Sequence, residues 1–140
     1  MKKLLFLLPL LSLFFFVACS GKHPADVIAP TIMIGTDVYQ GLEDTLVRLH
    51  DAGAPTIVDR WQDISNARWK ASKGYRAAWK AWYTLSLVNN PQNQTELNTQ
   101  IAALADLLTQ LLSFIPTKDP AFSGLQAGIQ KMKEDANVTR

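Results

Sequence analysis

A single cysteine, Cys19, and two widely spaced histidines, His23 and His50, are all that this 140-residue chain offers in the way of soft metal ligands. One thiol cannot close an intrachain disulfide or build a thiolate metal site, and no pair of histidines falls at helical spacing. No stretch alternates apolar and polar residues with period two, which argues against a sheet. The GxSxG, HExxH and glycine-rich phosphate-loop patterns are absent. Neighbouring carboxylates occur only as Glu43-Asp44 and Glu134-Asp135. Both pairs sit among polar residues, where nothing raises a carboxyl pKa, so they read as solvated faces rather than acid–base machinery. No catalytic residue, metal or cofactor is therefore expected, and the chain does not read as an enzyme.

Long apolar runs are also scarce. The longest, Leu4 to Val17, is interrupted by Pro9 and falls short of the roughly 20 residues a spanning helix needs. It follows Lys2 and Lys3 and leads to the small Ala18, the basic, apolar and small-residue order of an export signal. The stretch Phe16-Val17-Ala18-Cys19 resembles the cleavage site of a bacterial lipoprotein signal peptide, with Phe16 where that family most often has Leu. The resemblance implies that residues 1–18 are removed and that Cys19 becomes the new N-terminus carrying covalent lipid, the only group attached. It further implies a cell-envelope location, lipid-anchored in a membrane. Ser20, rather than Asp, after the cysteine implies the periplasmic face of the outer membrane if the cell is Gram-negative. Several acyl chains would hold the protein far more firmly than one.

Without residues 1–18 the chain has 122 residues, and the loss of Lys2 and Lys3 leaves 12 basic against 12 acidic side chains. That is enough for one domain with a core, and its charge is balanced. A nucleic-acid partner is not expected in this compartment. Residues 19–30 carry Gly21, Pro24 and Pro30 and read as a lipidated cysteine with a tether, spanning roughly 35 Å if extended. His23, inside it, reads as solvated.

Residues 31–140 read as an all-α domain, an up-down bundle of about four helices. Thr36 and Asp37 look like a helix start, followed by Val38, Leu42, Leu46 and Leu49 on one face and a stop at Gly53 and Pro55. His50 falls in the last turn, where it suits the helix dipole, and adjacent Asp51 is not expected to face it. A second helix starts at the Thr56/Asp59 capping pair and runs to about Val88. Its apolar stripe is Ile57, Trp61, Ile64, Ala71, Tyr75, Ala78, Trp82 and Leu85, with Arg68 the one charged member and Glu43 its expected partner. Gly74 marks a bend or a close contact. A third helix, capped by Asn93 with Glu96, repeats Leu97, Ile101, Leu104, Leu108, Leu111 and Ile115. A fourth follows Asp119-Pro120 with Phe122, Leu125, Ile129 and Met132 inward, and Gly124 and Gly128 as small packing residues.

One surface stands out. From Asn66 to Thr95 there is no acidic residue, while Arg68, Lys70, Lys73, Arg76 and Lys80 interleave with aromatics. Spacings of four, three and four put Trp69, Lys73, Arg76 and Lys80 on the face opposite the core stripe. A Trp on a basic outer face suits a partner, through cation–π and interfacial aromatic contacts. The sequence thus reads as a membrane-anchored envelope lipoprotein whose helical domain binds or scaffolds an envelope protein. The alternative is a domain that lays this basic, aromatic face on anionic lipid.

Overall fold

A computed structural model describes residues 21–138, and the Phe16-Val17-Ala18-Cys19 site lies outside them. The described residues form four long helices and one short one: α1 (Pro24–Asp51), α2 (Pro55–Val58), α3 (Trp61–Leu87), α4 (Pro91–Leu112) and α5 (Phe122–Val138). Among them there is no strand, and no helix is long and apolar enough to cross a membrane. The long helices form an all-α up-down bundle in the ring order α1, α3, α4, α5, with α1 and α4 touching across the middle.

α1 begins well before the expected start. His23 is its N-cap, with Nδ1 accepting the Ala25 amide at 3.2 Å, Pro24 occupies the first turn, and Asp26 complements the positive end of the helix dipole. The tether reading fails for Pro24–Pro30, because Ala25, Ile28 and Ile32 are buried and draw this stretch onto the bundle. Pro30 lacks the amide that would bond to the Asp26 carbonyl, but it lies on an exposed face where water reaches the gap. Thr36 starts nothing; it is a mid-helix residue whose hydroxyl bonds to the Ile32 carbonyl at 3.0 Å.

The second expected helix is divided. Thr56 makes no capping bond; the one-turn α2 tucks Ile57 completely inside, and the chain turns at Asp59 and Arg60 before α3 starts. Arg60 lies 4.5 Å from the centre of the Phe114 ring, fastening this turn to the chain just beyond α4. The cap of α4 is Asn90, accepting the Asn93 amide at 2.7 Å, not Asn93 itself. With Pro91 in its first turn, α4 starts three residues earlier than the Asn93/Glu96 pair suggests. Ile115 is buried although α4 ends at Leu112. The Asp119 carboxylate accepts the Ala121 amide at 3.0 Å in the turn ahead of α5, which begins only at Phe122, so Asp119 and Pro120 precede the helix instead of capping and opening it; the carboxylate also accepts Arg48 Nη2 at 2.7 Å.

Side-chain pairs fix the register. α1 runs against α3 through Ala25 with Trp82, Thr36 with Tyr75, Glu43 with Arg68 and His50 with Trp61. It runs against α5 through Thr31 with Asp135 and Arg48 with Asp119. The core consists of Leu42 and Leu46 on α1, Ile64 and Leu85 on α3, Leu97, Ile101, Leu104, Leu108 and Leu111 on α4, and Ile129 and Met132 on α5, all buried.

The centre of the α3 seam is displaced by about one position from the expected stripe. Ile64, Ala67, Ala71, Gly74, Ala78, Ala81 and Leu85 follow an alternation of three and four and are buried or half-buried. Trp61, Arg68, Tyr75 and Trp82 flank that seam toward α1. Gly74 therefore marks a close contact: a Cβ there would come 2.6 Å from Leu107 Cδ1. Of the two α5 glycines only Gly128 packs closely, where a Cβ would stand 2.4 Å from Val38 Cγ2; Gly124 faces open space.

Three outcomes follow for stability. Val38 is β-branched and held at its first torsion, so Gly128→Ala should cost about 1–3 kcal/mol. In Gly74→Ala the obstructing atom is the end of a Leu side chain, and the gain of about 1 kcal/mol in helix propensity offsets the strain, so that variant should be nearly neutral in denaturant unfolding. Arg48 first, and then the Ala121 amide, hold the Asp119 carboxyl below its ordinary range. A carboxyl lowered by folding stabilises fully above its unfolded pKa, about 3.9, and loses that contribution as pH falls through the folded value. The stability deficit of Asp119→Asn should therefore shrink as the medium is acidified below about pH 4, as measured by urea titrations along a pH series.

Candidate functional site

α3 holds five cations along its middle, and the fold uses them differently. Arg68 belongs to the α1–α3 seam: its Nε lies 3.0 and 2.8 Å from the two Glu43 carboxylate oxygens, and its Nη2 also contacts Oε2. This is the expected partner. The hydrogen bond to Glu43 raises the Arg68 pKa against the opposing effect of burial. The guanidinium also sits 5.4 Å from the centre of the Trp61 ring, whose other contact is the His50 imidazole at 4.0 Å between centres. Glu43 is thus not merely a solvated-face residue. Nor is Asp135: burial raises its pKa, but bonds from Lys131 at 2.5 Å and Thr31 at 2.8 Å outweigh it and the net shift is downward. His50 Nδ1 and Asp51 Oδ1 are 3.3 Å apart at the end of α1, contrary to the expectation that helical neighbours stay apart.

The four residues proposed as a surface do share one. Trp69 is 58% exposed, Lys73, Arg76 and Lys80 are exposed, and none of the four contributes to the buried core. Lys73 Nζ lies 3.6 Å from the centre of the Trp69 ring, a direct cation–π contact. Arg76 turns back along its own helix to the Ser72 carbonyl and hydroxyl, at 3.4 and 3.3 Å. Among the described residues, carboxylates pair with Arg48, His50, Arg68, Lys131 and Lys133, and with none of Lys73, Arg76 and Lys80. Lys80 borders a shallow groove between α3 and α4, opposite Glu96 and Gln100.

Two members of this stripe escape a reading confined to charge. Continuing the alternation of three and four from Lys80 reaches Tyr83 and Leu87, and these are 59% and 66% exposed. The signal was present in the spacing, but Tyr83 and Leu87 resemble core residues by type alone. The inner aromatics are a separate group. Tyr39 stacks on Tyr75 at 5.3 Å, Trp79 meets Tyr75 and Trp82 edge-on, and Trp82 donates Nε1 to the Ala25 carbonyl at 2.9 Å. Trp79 Nε1 is buried without a hydrogen-bond partner.

Among the described residues no three His, Cys, Asp or Glu side chains gather in a way that would hold a metal ion. The open grooves are shallow and lie between helices; in one of them the Thr31 hydroxyl donates to the Asp135 carboxylate at 2.8 Å, which Lys131 also holds at 2.5 Å. Comparison of the chain with family models, curated proteins and solved structures finds no match.

The seam pair has a direct test. Arg68→Ala and Glu43→Gln should each destabilise the bundle, and the double variant should lose less than their sum. A coupling of about 1–2 kcal/mol in a double-mutant cycle is expected for a partly buried charge pair held by several bonds.

Proposed function

We propose that this chain is a lipid-anchored protein of the bacterial cell envelope whose helical bundle serves as a binding or scaffolding module rather than a catalyst. The anchor rests on Phe16-Val17-Ala18-Cys19 and the basic and apolar segment before it. The reading of the domain as a binding module is carried by one observation: an indole more than half exposed, covered by a lysine of its own helix and by no neighbouring helix of the core. Leaving such a group in water gives up hydrophobic stabilisation that the bundle could otherwise use. Lys73, Arg76 and Lys80 beside it carry charge that no carboxylate of the described residues neutralises. Together they form a basic patch with an aromatic anchor, suited to an acidic segment of an envelope protein. The enclosed alternative, a solvated face with an incidental Trp, predicts no loss of interaction when the face is changed.

Metabolic labelling with an alkyne fatty acid should tag the wild type and fail to tag Cys19→Ala, which should also accumulate uncut. Trp69→Ala combined with Lys73→Glu should change stability by no more than about 1 kcal/mol, the size of an exposed cation–π contact. The same pair should abolish a discrete adduct formed in living cells from a photo-crosslinker placed at Arg76. Unchanged crosslinking in that variant would remove the face from the functional account, and equal labelling of the Cys19 variant would remove the anchor.

A further inference from the structure

At one end of the bundle three elements meet. The first turn of α1 is held to the last turns of α3 by the bond from Trp82 Nε1 to the Ala25 carbonyl at 2.9 Å. The beginning of α4 joins them, since Lys22, Pro24, Val27 and Ile28 line one shallow groove with Gln94 and Asn98. The turn between α3 and α4 is tied down at this end by the Asn93 side chain, which donates to the Val88 carbonyl at 2.7 Å, and by Gln94 with Asn89 at 2.9 Å. On this ordered tip the chain displays large apolar groups to solvent: Leu87 and Tyr83 on the last turns of α3, Val88 in the turn and Val27 on α1. The opposite end, with α2 and the α4–α5 connection, exposes Val58 and, to a lesser degree, Val47 among the large apolar side chains of the described residues.

The same end is where the chain departs toward Cys19. Because α1 starts at Pro24, only four residues separate it from that cysteine, and even fully extended they reach roughly 17 Å. We infer that this tip, Tyr83, Leu87 and Val88 with Val27, is a second membrane contact, resting in the interfacial layer of the bilayer that holds the lipidated Cys19. The inference rests on the lipid-anchored reading above.

Three features favour a bilayer as the occupant. The tip is aromatic and aliphatic, the composition that settles at a membrane–water interface. The residues that make the contact, Tyr83, Leu87, Val88 and Val27, carry no charge, so the contact is apolar insertion and not attraction to an anionic surface. The short connection presents the tip to the membrane without a further partner to bring it there. Trp69 stands 18 residues before Leu87 on the same helical stripe, roughly 27 Å further from the membrane, so Trp69 and Lys73 remain open to the envelope space.

The test uses the full chain, purified from membranes and reconstituted in phosphatidylethanolamine–phosphatidylglycerol vesicles. Leu87→Cys, Val88→Cys and, at the far end, Ser123→Cys each receive an environment-sensitive fluorophore, and the mass of the N-terminal peptide reports separately whether Cys19 is lipidated. Fluorophores at 87 and 88 should shift to the blue and be quenched by lipids bearing a nitroxide near the headgroup, in high salt as in low. The fluorophore at 123 should behave as in water. Leu87→Glu added to Val88→Cys should abolish the shift at 88 while the protein stays anchored. A lipidated protein whose fluorophores at 87 and 88 report water overturns the tip contact and leaves the anchor standing. An N-terminal peptide without lipid overturns the anchor and the inference together, and equal quenching at 87, 88 and 123 overturns the end-on arrangement.

Discussion

The bundle depends on the packing of α4's leucines against a seam of small residues on α3. Ala67, Ala71, Gly74, Ala78 and Ala81 supply little bulk, so the apolar volume between the two helices comes from the other side, from Leu97, Ile101, Leu104, Leu108 and Leu111. Small residues let helices approach closely, and close approach is what a Cβ at Gly74 would obstruct. The arrangement has a compositional consequence. α3 carries all four Trp of the chain, and a seam this narrow has no room for any of them, so they are displaced to its flanks and its back.

On the flank toward α1 the displaced rings become a second packing layer. Trp61 is sandwiched between His50 and Arg68, Tyr75 stacks on Tyr39, and Trp82 bonds to the backbone of the first turn of α1. Arg68 belongs to this layer by position, and its fork on Glu43 supplies there what apolar contact supplies elsewhere. A partly buried ion pair adds little to stability when compared with a well-packed apolar pair, but it fixes register, because a shift of one turn would leave both charges unpaired. At the back of α3 no such layer forms. Trp69, Tyr83 and Leu87 remain outside because ring order places no other helix against that face.

The sequence was most legible where periodicity and capping agreed. The all-α bundle, the α4 leucine repeat, the Arg68–Glu43 pair and the shared face of Trp69, Lys73, Arg76 and Lys80 could all be reached from spacing. Local signals misled where tertiary contact overrode them. Pro24 and Pro30 read as a tether, yet Ala25, Ile28 and Ile32 repeat at three and four, and burial of that face outweighs one lost helical bond. The Thr56/Asp59 and Asn93/Glu96 pairs fit a capping pattern that the chain does not use, since Ile57 is drawn inward and Asn90 ahead of Pro91 makes the better start. The phase of α3 was misjudged because large aromatics outweigh alanines in any count of hydrophobicity, whereas the seam is chosen by fit.

The early start of α1 bears on more than the fold. A tether of eleven residues, from Ser20 to Pro30, would let an anchored domain stand roughly 35 Å from its lipid and turn freely. With helix from Pro24 onward that freedom shrinks to a few residues, and the N-terminal turn is moreover fastened to α3 through Trp82. Under the proposed anchor, the direction of α1 then sets the direction of every other helix, because all four are locked side by side in one register. The stripe on the back of α3 thereby acquires a polarity: apolar at Leu87 and Tyr83 near the point of attachment, cationic through Lys80, Arg76 and Lys73, and closed by Trp69 on its lysine at the outer end. In solution neither end of the stripe has a preferred surrounding; under the proposed anchor, the short attachment would turn the apolar end toward the membrane and leave the cationic end free.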